Sequence, residues 1–133
     1  MSSATVELAA AALGCEPARI AKSLSFLVQE RPVLVVAAGD ARVDNARFKA
    51  QFQVKAKMLS HDEVEELVGH PVGGVCPFGV RPGVEIYLDE SLRRFDTVFP
   101  ACGSANSAIE VTVTELERYS GSLGWVAVCK TPQ

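Results

Sequence analysis

The fold is decided by residues 24–38, which read LSFLVQERPVLVVAA. The run 33–38 is apolar, the run 24–28 is apolar except for Ser25, and residues 29–32 between them are typical of a turn, so the stretch predicts two neighbouring strands. The second run contains no polar residue, which indicates a buried strand. We therefore expect a domain that is built around a sheet.

Helix and strand signals follow one another irregularly in the rest of the chain. Phe48 and Phe52 lie four residues apart in a predicted helix over 44–53, and Ser60 with Glu63 forms a capping box that begins another helix. Because no regular β-α-β alternation is present, we predict an α+β (mixed α/β) fold, a mixed sheet with helices packed around it. The other predicted elements are helices at 3–13, near 16–20 and at 114–119, and strands at 55–59, 84–89, 97–100, 108–113 and 125–129.

Length and composition fit one domain over residues 1–133. The chain has 133 residues, of which 48% are hydrophobic, and this suffices for one sizeable core. The apolar stretch 5–13 is too short to span a bilayer and contains Glu7, so we expect a cytoplasmic protein with no membrane contact. The four cysteines stand singly, without the paired spacing of a zinc or redox site. We expect reduced thiols, with a two-disulfide framework as the alternative.

The net charge of −3 argues against a protein that grips nucleic acid, DNA included, over its whole surface. Residues 61–90 carry seven acids and one arginine, whereas residues 41–60 carry five basic residues and one acid. The basic segment predicts a patch that suits a brief encounter with a nucleic acid, and solvated faces of unrelated elements are the alternative. The candidate nucleic-acid-binding residues are Arg42, Arg47, Lys49, Lys55 and Lys57.

A nucleophilic triad finds little support in the sequence. The two histidines are His61 and His70, and no serine stands in the strand-to-helix context of a nucleophile elbow. His70 adjoins a glycine-rich loop and is the better site candidate of the two.

That loop, GGVCPFG at 73–79, lacks the Lys-Ser/Thr pair of a P-loop and the context of a dinucleotide site. Its adjacent glycines allow a ligand to approach the backbone closely, while Pro77 stiffens the far side. Several N–H groups could then converge on one oxygen, as in an oxyanion hole. A purely structural loop is the alternative. Lys22, a single lysine among apolar residues, is either a site residue or a side chain that reaches solvent from a helix end.

Five features occur in the order and spacing of a known family. They are GCEPARIAKSL at 14–24, Gly39 followed by Asp40 and then Asp44 before a lysine-bearing helix, GHPVGGVCPFG at 69–79, Asp89 closing a strand, and Gly103 before Ile109-Glu110-Val111. Together they resemble the YbaK/ProX family, which includes the insertion domain of bacterial prolyl-tRNA synthetases. The likeness covers nearly the whole chain and is far more specific than any single motif.

The resemblance implies a curled mixed sheet flanked by helices, and an aminoacyl-tRNA deacylase that hydrolyses the ester of a mischarged tRNA, most often tRNA for proline with a small non-cognate amino acid. It implies no metal, no cofactor and no covalent nucleophile. The family's essential lysine falls on Lys22 and its loop glycine on Gly73, and the catalytic residues implied are Lys22, Gly73, Gly74 and Val75. The substrate-binding residues implied are His70, Cys76, Pro77, Phe78, Gly79 and Gly103.

The implied partner is the 3′-terminal aminoacyl-adenosine of a mischarged tRNA, with an aminoacyl-tRNA synthetase as a further candidate. Two alternatives stay open. A binding module of the same fold could recognise an aminoacylated end or a synthetase without hydrolysis, and a small-molecule or redox protein could use Cys76. The presence of both Lys22 and the complete loop favours the enzyme.

Overall fold

A computed structural model gives the arrangement of the chain and describes residues 17–69, 80, 82–100 and 110–131. The predicted helix at 3–13 and most of the loop at 69–83 lie outside the described residues. Within the described parts, no helix is long and apolar enough to cross a membrane. The strands are β1 (Ile20–Val28), β2 (Arg31–Ala38), β3 (Arg42–Val43), β4 (Glu85–Asp89), β5 (Thr97–Pro100), β6 (Val111–Thr112), β7 (Gly124–Val126) and β8 (Cys129–Lys130). The helices are α1 (Asn45–Phe52), α2 (His61–Glu63, continued by a π-helical turn at Val64–Val68) and α3 (Val113–Ser120), with short 3₁₀ helices at Pro17–Arg19 and Glu90–Arg94.

The main sheet has six strands in the order β6-β5-β1-β2-β4-β7, and β3 pairs with β8 in a second, two-stranded sheet. β1 and β2 form an antiparallel hairpin in which Ala21 stands opposite Ala38 and Val28 opposite Arg31. The pairs β1–β5, β2–β4 and β4–β7 are parallel. The start of β1 therefore lies at the edge where β2, β4 and β7 end, which we call the carboxyl edge.

The hairpin turn is tighter than the sequence predicts. It consists of Gln29 and Glu30, both in the left-handed conformation with φ of 48° and 66°. Positive φ at both positions is the pattern of a type I′ turn, which matches the twist of the flanking strands and usually has the sequence Asn-Gly. Because that signal is missing, the sequence predicts a four-residue turn, whereas β2 begins at Arg31.

The aromatic part of the core lies where α1 covers the sheet. The ring of Phe48 stands 4.7 Å from that of Phe26 and 4.8 Å from that of Phe52, measured between centroids, and Phe52 stands 5.4 Å from Tyr87. Phe48 is fully buried. At the start of α1, the Asp44 side chain accepts a hydrogen bond from a backbone N–H of the first turn. The predicted helix over 44–53 is thus confirmed.

The predicted α+β fold, a curled mixed sheet flanked by helices, is also confirmed. So is the capping box before α2, in which the Ser60 N–H donates to the Glu63 carboxylate at 2.9 Å and the Glu63 N–H donates to the Ser60 hydroxyl at 3.3 Å. The predicted strand at 55–59 is wrong, because this segment forms only an isolated bridge between Met58 and Phe26 of β1.

The predicted strand at 125–129 is wrong as well, since it is divided between two sheets. β7 ends at Val126 beside β4, and β8 begins at Cys129 beside β3. Between them, the backbone N–H of Val128 donates to the buried carboxylate of Asp89 at 2.9 Å. The Asp89 side chain therefore accepts the hydrogen bond that a backbone carbonyl of a neighbouring strand would otherwise accept.

The predicted strand at 108–113 ends one residue earlier than expected, and its residues 108 and 109 lie outside the described residues. β6 ends at Thr112, whose side chain caps α3 in a capping box with Glu115. The backbone therefore turns into the helix at Val113.

Candidate active site

Lys22 lies inside β1 and not at a helix end, the position that one of the two explanations from the sequence requires. It stands opposite Ala37 of β2. The last pair of β2 and β4 is Val36 opposite Leu88, so the next residues, Ala37 and Asp89, also lie opposite each other. Lys22, Ala37 and Asp89 thus form one row across three neighbouring strands. Residues of one row point to the same face of a sheet, and Lys22 and Asp89 therefore share the α1 side of the carboxyl edge.

The ammonium group of Lys22 is held by backbone oxygens. Its Nζ donates to the carbonyl oxygen of Ala41 at 2.5 Å and to that of Gly39 at 3.3 Å. Both carbonyls belong to the turn between β2 and β3. Because an ammonium has three N–H donors, one remains for a ligand after these two acceptors are satisfied.

Burial lowers the pKa of Lys22, because the charged ammonium loses hydration at the end of the apolar row of β1. The neighbouring Cys129 and Asp40 oppose this shift and raise the pKa, while Arg42 lowers it further. The net direction is downward. Lys22 is therefore easier to deprotonate than a solvated lysine.

The turn between β2 and β3 is fixed from outside by Arg94. The guanidinium forms a two-point ion pair with the carboxylate of Asp40, at 2.5 and 3.0 Å, and Arg94 Nε donates to the carbonyl oxygen of Ser91 at 2.9 Å. The backbone N–H of Ala38 donates to the Ser91 hydroxyl at 3.1 Å. The 3₁₀ helix after β4 thus holds the turn at two points.

Asp89 is 1% exposed, and its carboxylate joins three segments of the chain. It accepts hydrogen bonds from the backbone N–H groups of Ser91 and Val128, both at 2.9 Å. Burial, and then the charge of Asp89, raises the pKa of Cys129 to about 12, although Lys22 acts in the opposite direction. The thiol is therefore neutral at physiological pH, which makes it a poor nucleophile.

Two neighbouring clefts open beside Asp40, Asp89 and Cys129, and neither includes Lys22 in its lining. The first measures about 480 Å³ and includes Arg47, Arg94 and Cys129 in its lining. The second measures about 410 Å³ and includes Arg42. Both clefts share Lys130 and Thr131. Since acids line them too, among them Asp40, Asp44, Asp89 and Glu90, the clefts suit a ligand that carries anionic and polar groups together.

The structure separates the five predicted tRNA-binding residues into different locations. Arg42 and Arg47 line the clefts, and Arg47 Nη1 donates to the carbonyl oxygen of Cys129 at 2.9 Å. Lys49 is exposed on α1. Lys55 and Lys57 are exposed in the segment that bridges β1 at Phe26, about 13 Å along the strand from Lys22 at 3.3 Å per residue.

The other predicted site residues lie outside the described residues. These residues are His70, Gly73, Gly74, Val75, Cys76, Pro77, Phe78, Gly79 and Gly103.

A metal site is not seen in the described parts of the chain. Within residues 17–69, 82–100 and 110–131, no group of three or more His, Cys, Asp and Glu side chains is arranged to hold a metal ion.

The sequence did not identify Arg94, Ser91 or Cys129 as neighbours of Lys22. A local signal existed for Asp89, because an acid directly after an alternating strand often caps the turn that follows. No such signal joins Arg94 to Asp40, since the two residues are 54 positions apart.

Comparison with known proteins gives consistent matches. The family described as "Aminoacyl-tRNA editing domain" matches residues 2–119. An uncharacterized protein of Bacillus subtilis (strain 168), YwhH, is 57% identical over 130 residues, which are 97% of this chain and 83% of that protein. A proline–tRNA ligase of Bacillus cereus (strain AH187) is 31% identical over 102 residues, which are 76% of this chain but 18% of the ligase.

A solved structure agrees with these sequence matches. It was named, provisionally, as a trans-editing enzyme for prolyl tRNA synthetase, and it superimposes with a TM-score of 0.84 at 29% sequence identity. The superposition covers 99% of this chain and 84% of the other. The similarity therefore extends to the whole fold.

Proposed function

The chain belongs to the aminoacyl-tRNA editing domain family, and from this premise we propose that it is a trans-editing deacylase, which hydrolyses the ester bond of a free mischarged tRNA. The likeness to a proline–tRNA ligase and to a structure named for prolyl trans-editing supports tRNA for proline, charged with a small non-cognate amino acid, as the substrate. The match spans only 18% of the ligase, so aminoacylation itself is not part of the proposal. We place the reaction in the cytoplasm.

The observation that carries the proposal is the fixed ammonium of Lys22 at the carboxyl edge. Two carbonyl oxygens set its position and leave one N–H donor for a ligand. A positive charge that is already oriented stabilises a developing negative charge without reorganising during the reaction. Lys22 can therefore bind the terminal phosphate or polarise the ester carbonyl.

Hydrolysis of the aminoacyl ester requires of the protein mainly that it hold the ester and a water molecule in the right orientation. A water oxygen forms a bond to the ester carbonyl carbon, and the bond from that carbon to the ribose oxygen breaks. One proton of the water ends on the ribose oxygen, and the other is released from the amino acid's new carboxyl group. The vicinal ribose hydroxyl can assist the water, so the protein needs no nucleophile of its own, and holding the reactants in place supplies much of the rate.

The glycine-proline loop completes the proposed site. We assign the backbone N–H groups of Gly73, Gly74 and Val75 to the ester carbonyl or the terminal ribose, in keeping with the family resemblance. We assign the walls of the substrate pocket to His70, Cys76, Pro77, Phe78, Gly79 and Gly103. The basic residues Arg42 and Arg47 line the clefts and are proposed to contact the tRNA backbone.

The test is a deacylation panel with tRNA for proline charged separately with alanine, cysteine, serine and threonine. We expect hydrolysis of at least one of these esters, and a loss of at least about 100-fold in rate for Lys22→Ala, the scale seen when an oriented donor is removed. Arg118→Ala, which changes an exposed residue of α3, is the matched control and should keep the wild-type rate.

Each other outcome has a distinct meaning. Binding of the charged tRNA without hydrolysis of any ester would favour the alternative, a binding module of the same fold. Full activity in Lys22→Ala would refute the assigned role of that lysine. Loss of activity in Cys76→Ser, which removes the thiol without adding bulk to the proposed pocket wall, would favour a thiol-dependent reaction.

A further inference from the structure

We propose that Arg94 and Asp40 are positioning residues for Lys22: their ion pair fixes the turn whose carbonyl oxygens hold the ammonium. This inference rests on the proposed function only for its effect on catalysis. Its effect on the Lys22 side chain can be measured without any substrate.

The first step of the argument is the place of Asp40 in the turn. Asp40 lies between Gly39 and Ala41, the two residues whose carbonyl oxygens accept from Lys22 Nζ. Any movement of the Asp40 backbone therefore moves both acceptors. A side-chain contact at this single residue can set the geometry of the whole acceptor pair.

The second step concerns Arg94, the ion-pair partner of Asp40, and how firmly its side chain is held. Arg94 binds Asp40 through two parallel N–H···O bonds, which restrict orientation as well as distance. The guanidinium is itself held, because Nε donates to Ser91 and the group lies 4.9 Å above the ring of Phe95. The anchor is therefore a fixed part of the 3₁₀ helix Glu90–Arg94.

The third step concerns the start of the turn. The backbone N–H of Ala38 donates to the buried hydroxyl of Ser91, and Ser91 in turn donates its own N–H to Asp89. The 3₁₀ helix Glu90–Arg94 thus forms hydrogen bonds with the chain at Ala38, just before Gly39, and again at Asp40. Two attachment points leave the turn little freedom to rotate.

A role in stability alone explains this pair poorly. The side chains of Arg94 and Asp40 are 36% and 24% exposed, and ion pairs with this much solvent contribute little to folding. The pair Arg31–Glu85, at 2.8 Å and with side chains 51% and 21% exposed, is similar in kind. It joins β2 to β4 at the end of the hairpin that is remote from Lys22, so it serves as a matched control.

The experiment compares Asp40→Asn, Arg94→Ala, Arg94→Lys and the double variant Asp40→Asn/Arg94→Ala with Arg31→Ala. The substrate-free readout is the NMR relaxation order parameter of the Lys22 Cε methylene, which reports side-chain motion on the picosecond-to-nanosecond scale. We expect it to fall in the first two variants and to match wild type in Arg31→Ala. Arg94→Lys should be intermediate, since lysine keeps the charge but not the two-point geometry.

The kinetic readout separates positioning from binding. We expect kcat to fall by roughly 10- to 100-fold, the scale of an ångström-sized misplacement, and KM is measured separately because Arg94 and Asp40 themselves line the clefts. The double variant should lose no more than the worse single variant, since both act on one turn. Thermal midpoints close to that of Arg31→Ala would show that the variants fold.

The two hypotheses fail in different ways. An unchanged Lys22 order parameter in both Asp40→Asn and Arg94→Ala would overturn the positioning role, whatever the enzyme assay shows. A wild-type protein that hydrolyses no ester of the panel would overturn the proposed function, and the order parameters would still decide the role of the pair.

Discussion

Lys22 and Asp89 lie in one row of the sheet with Ala37 between them, and each is satisfied by backbone groups instead of by the other. Two carbonyl oxygens accept from Lys22, and two N–H groups donate to Asp89. The neutral thiol of Cys129 lies within electrostatic range of both. The opposite charges thus stay separate, and the ammonium keeps a donor for a ligand.

Removal of the Asp89 carboxylate should destabilise the fold strongly. Asp89→Ala leaves the N–H groups of Ser91 and Val128 without their acceptor, and we expect a loss of about 2–4 kcal/mol in the free energy of unfolding at roughly 1–2 kcal/mol for each buried donor. Asp89→Asn keeps one acceptor oxygen and should lose about half as much. Urea denaturation at neutral pH measures both. A stability of Asp89→Ala equal to that of wild type would show that the two N–H groups find other partners.

The charge of Lys22 should make stability depend on pH in the alkaline range. Its pKa is lowered in the folded state from 10.5, so between the folded and unfolded pKa values the unfolded chain binds more protons. Stability then rises with pH across this window. Lys22→Met, which removes the titrating group, should lack this rise, so the stability of wild type relative to Lys22→Met should increase as pH approaches 10.5.

Denaturant unfolding of both proteins at several pH values from 7 to about 10.5 tests this sign. Only the difference between the two curves is informative, because Tyr87 and Cys129 also titrate there and both have raised pKa values. A wild-type stability that falls relative to that of Lys22→Met as pH rises would mean that attraction, not lost hydration, dominates the surroundings of Lys22.

The thiol of Cys129 should be unreactive in the folded protein. Its pKa of about 12 leaves almost no thiolate at pH 8, and the thiolate is the nucleophile. We expect iodoacetamide to modify Cys129 at least about 100-fold more slowly in the native protein than in urea, because the rise in pKa from 9.0 to about 12 lowers the thiolate fraction by more than that factor. Peptide mass spectrometry follows this cysteine separately from the other three, and equal rates in both states would contradict the prediction.

The same shift predicts a loss of stability at high pH. The unfolded thiol ionises from pH 9 upward while the folded thiol stays protonated to about pH 12, so the folded state binds more protons in this window and stability falls. Cys129→Ala should therefore show a weaker decline above pH 9 than wild type. A parallel decline in both proteins would remove Cys129 as its cause.

Binding of tRNA should depend on Arg42 more than on Lys57. Arg42 lines a cleft beside the turn that holds Lys22, whereas Lys57 lies beside the far half of β1. Arg42→Ala should reduce the slope of log Kd against log salt concentration by about 1, the value for one lost phosphate contact. Fluorescence anisotropy with tRNA for proline over a NaCl series measures it. An equal reduction in Lys57→Ala would instead favour one continuous basic patch over residues 41–60.

The parts of the fold that the sequence predicts are those determined by near neighbours. The helix α1 depends on Asp44 as its cap and on the four-residue spacing of Phe48 and Phe52. The capping box before α2 joins Ser60 and Glu63 three positions apart. Such signals are complete within one turn of helix and need no knowledge of the rest of the molecule.

The parts that the sequence does not predict depend on distant contacts. The division of the strand at 125–129 is caused by Asp89, which lies 39 positions before Val128. The surroundings of Lys22 depend on the turn at 39–41 and on the pair Arg94–Asp40. The sequence drew attention to Lys22 only through family resemblance, because a lone lysine among apolar residues has several structural explanations.

The order of pairing in the main sheet has a consequence for the nascent chain. The hairpin of β1 and β2 joins neighbours in sequence, but the carboxyl edge also requires β4, β7 and β8, which are made much later. Pairings between distant segments form slowly, because loop-closure entropy opposes them, and synthesis proceeds from the N-terminus. A ribosome-bound chain therefore contains Lys22 long before it contains Asp89 and Arg94. The deacylase activity proposed above should arise abruptly at the end of folding, and its recovery after dilution from denaturant should lag behind the recovery of helix and hairpin.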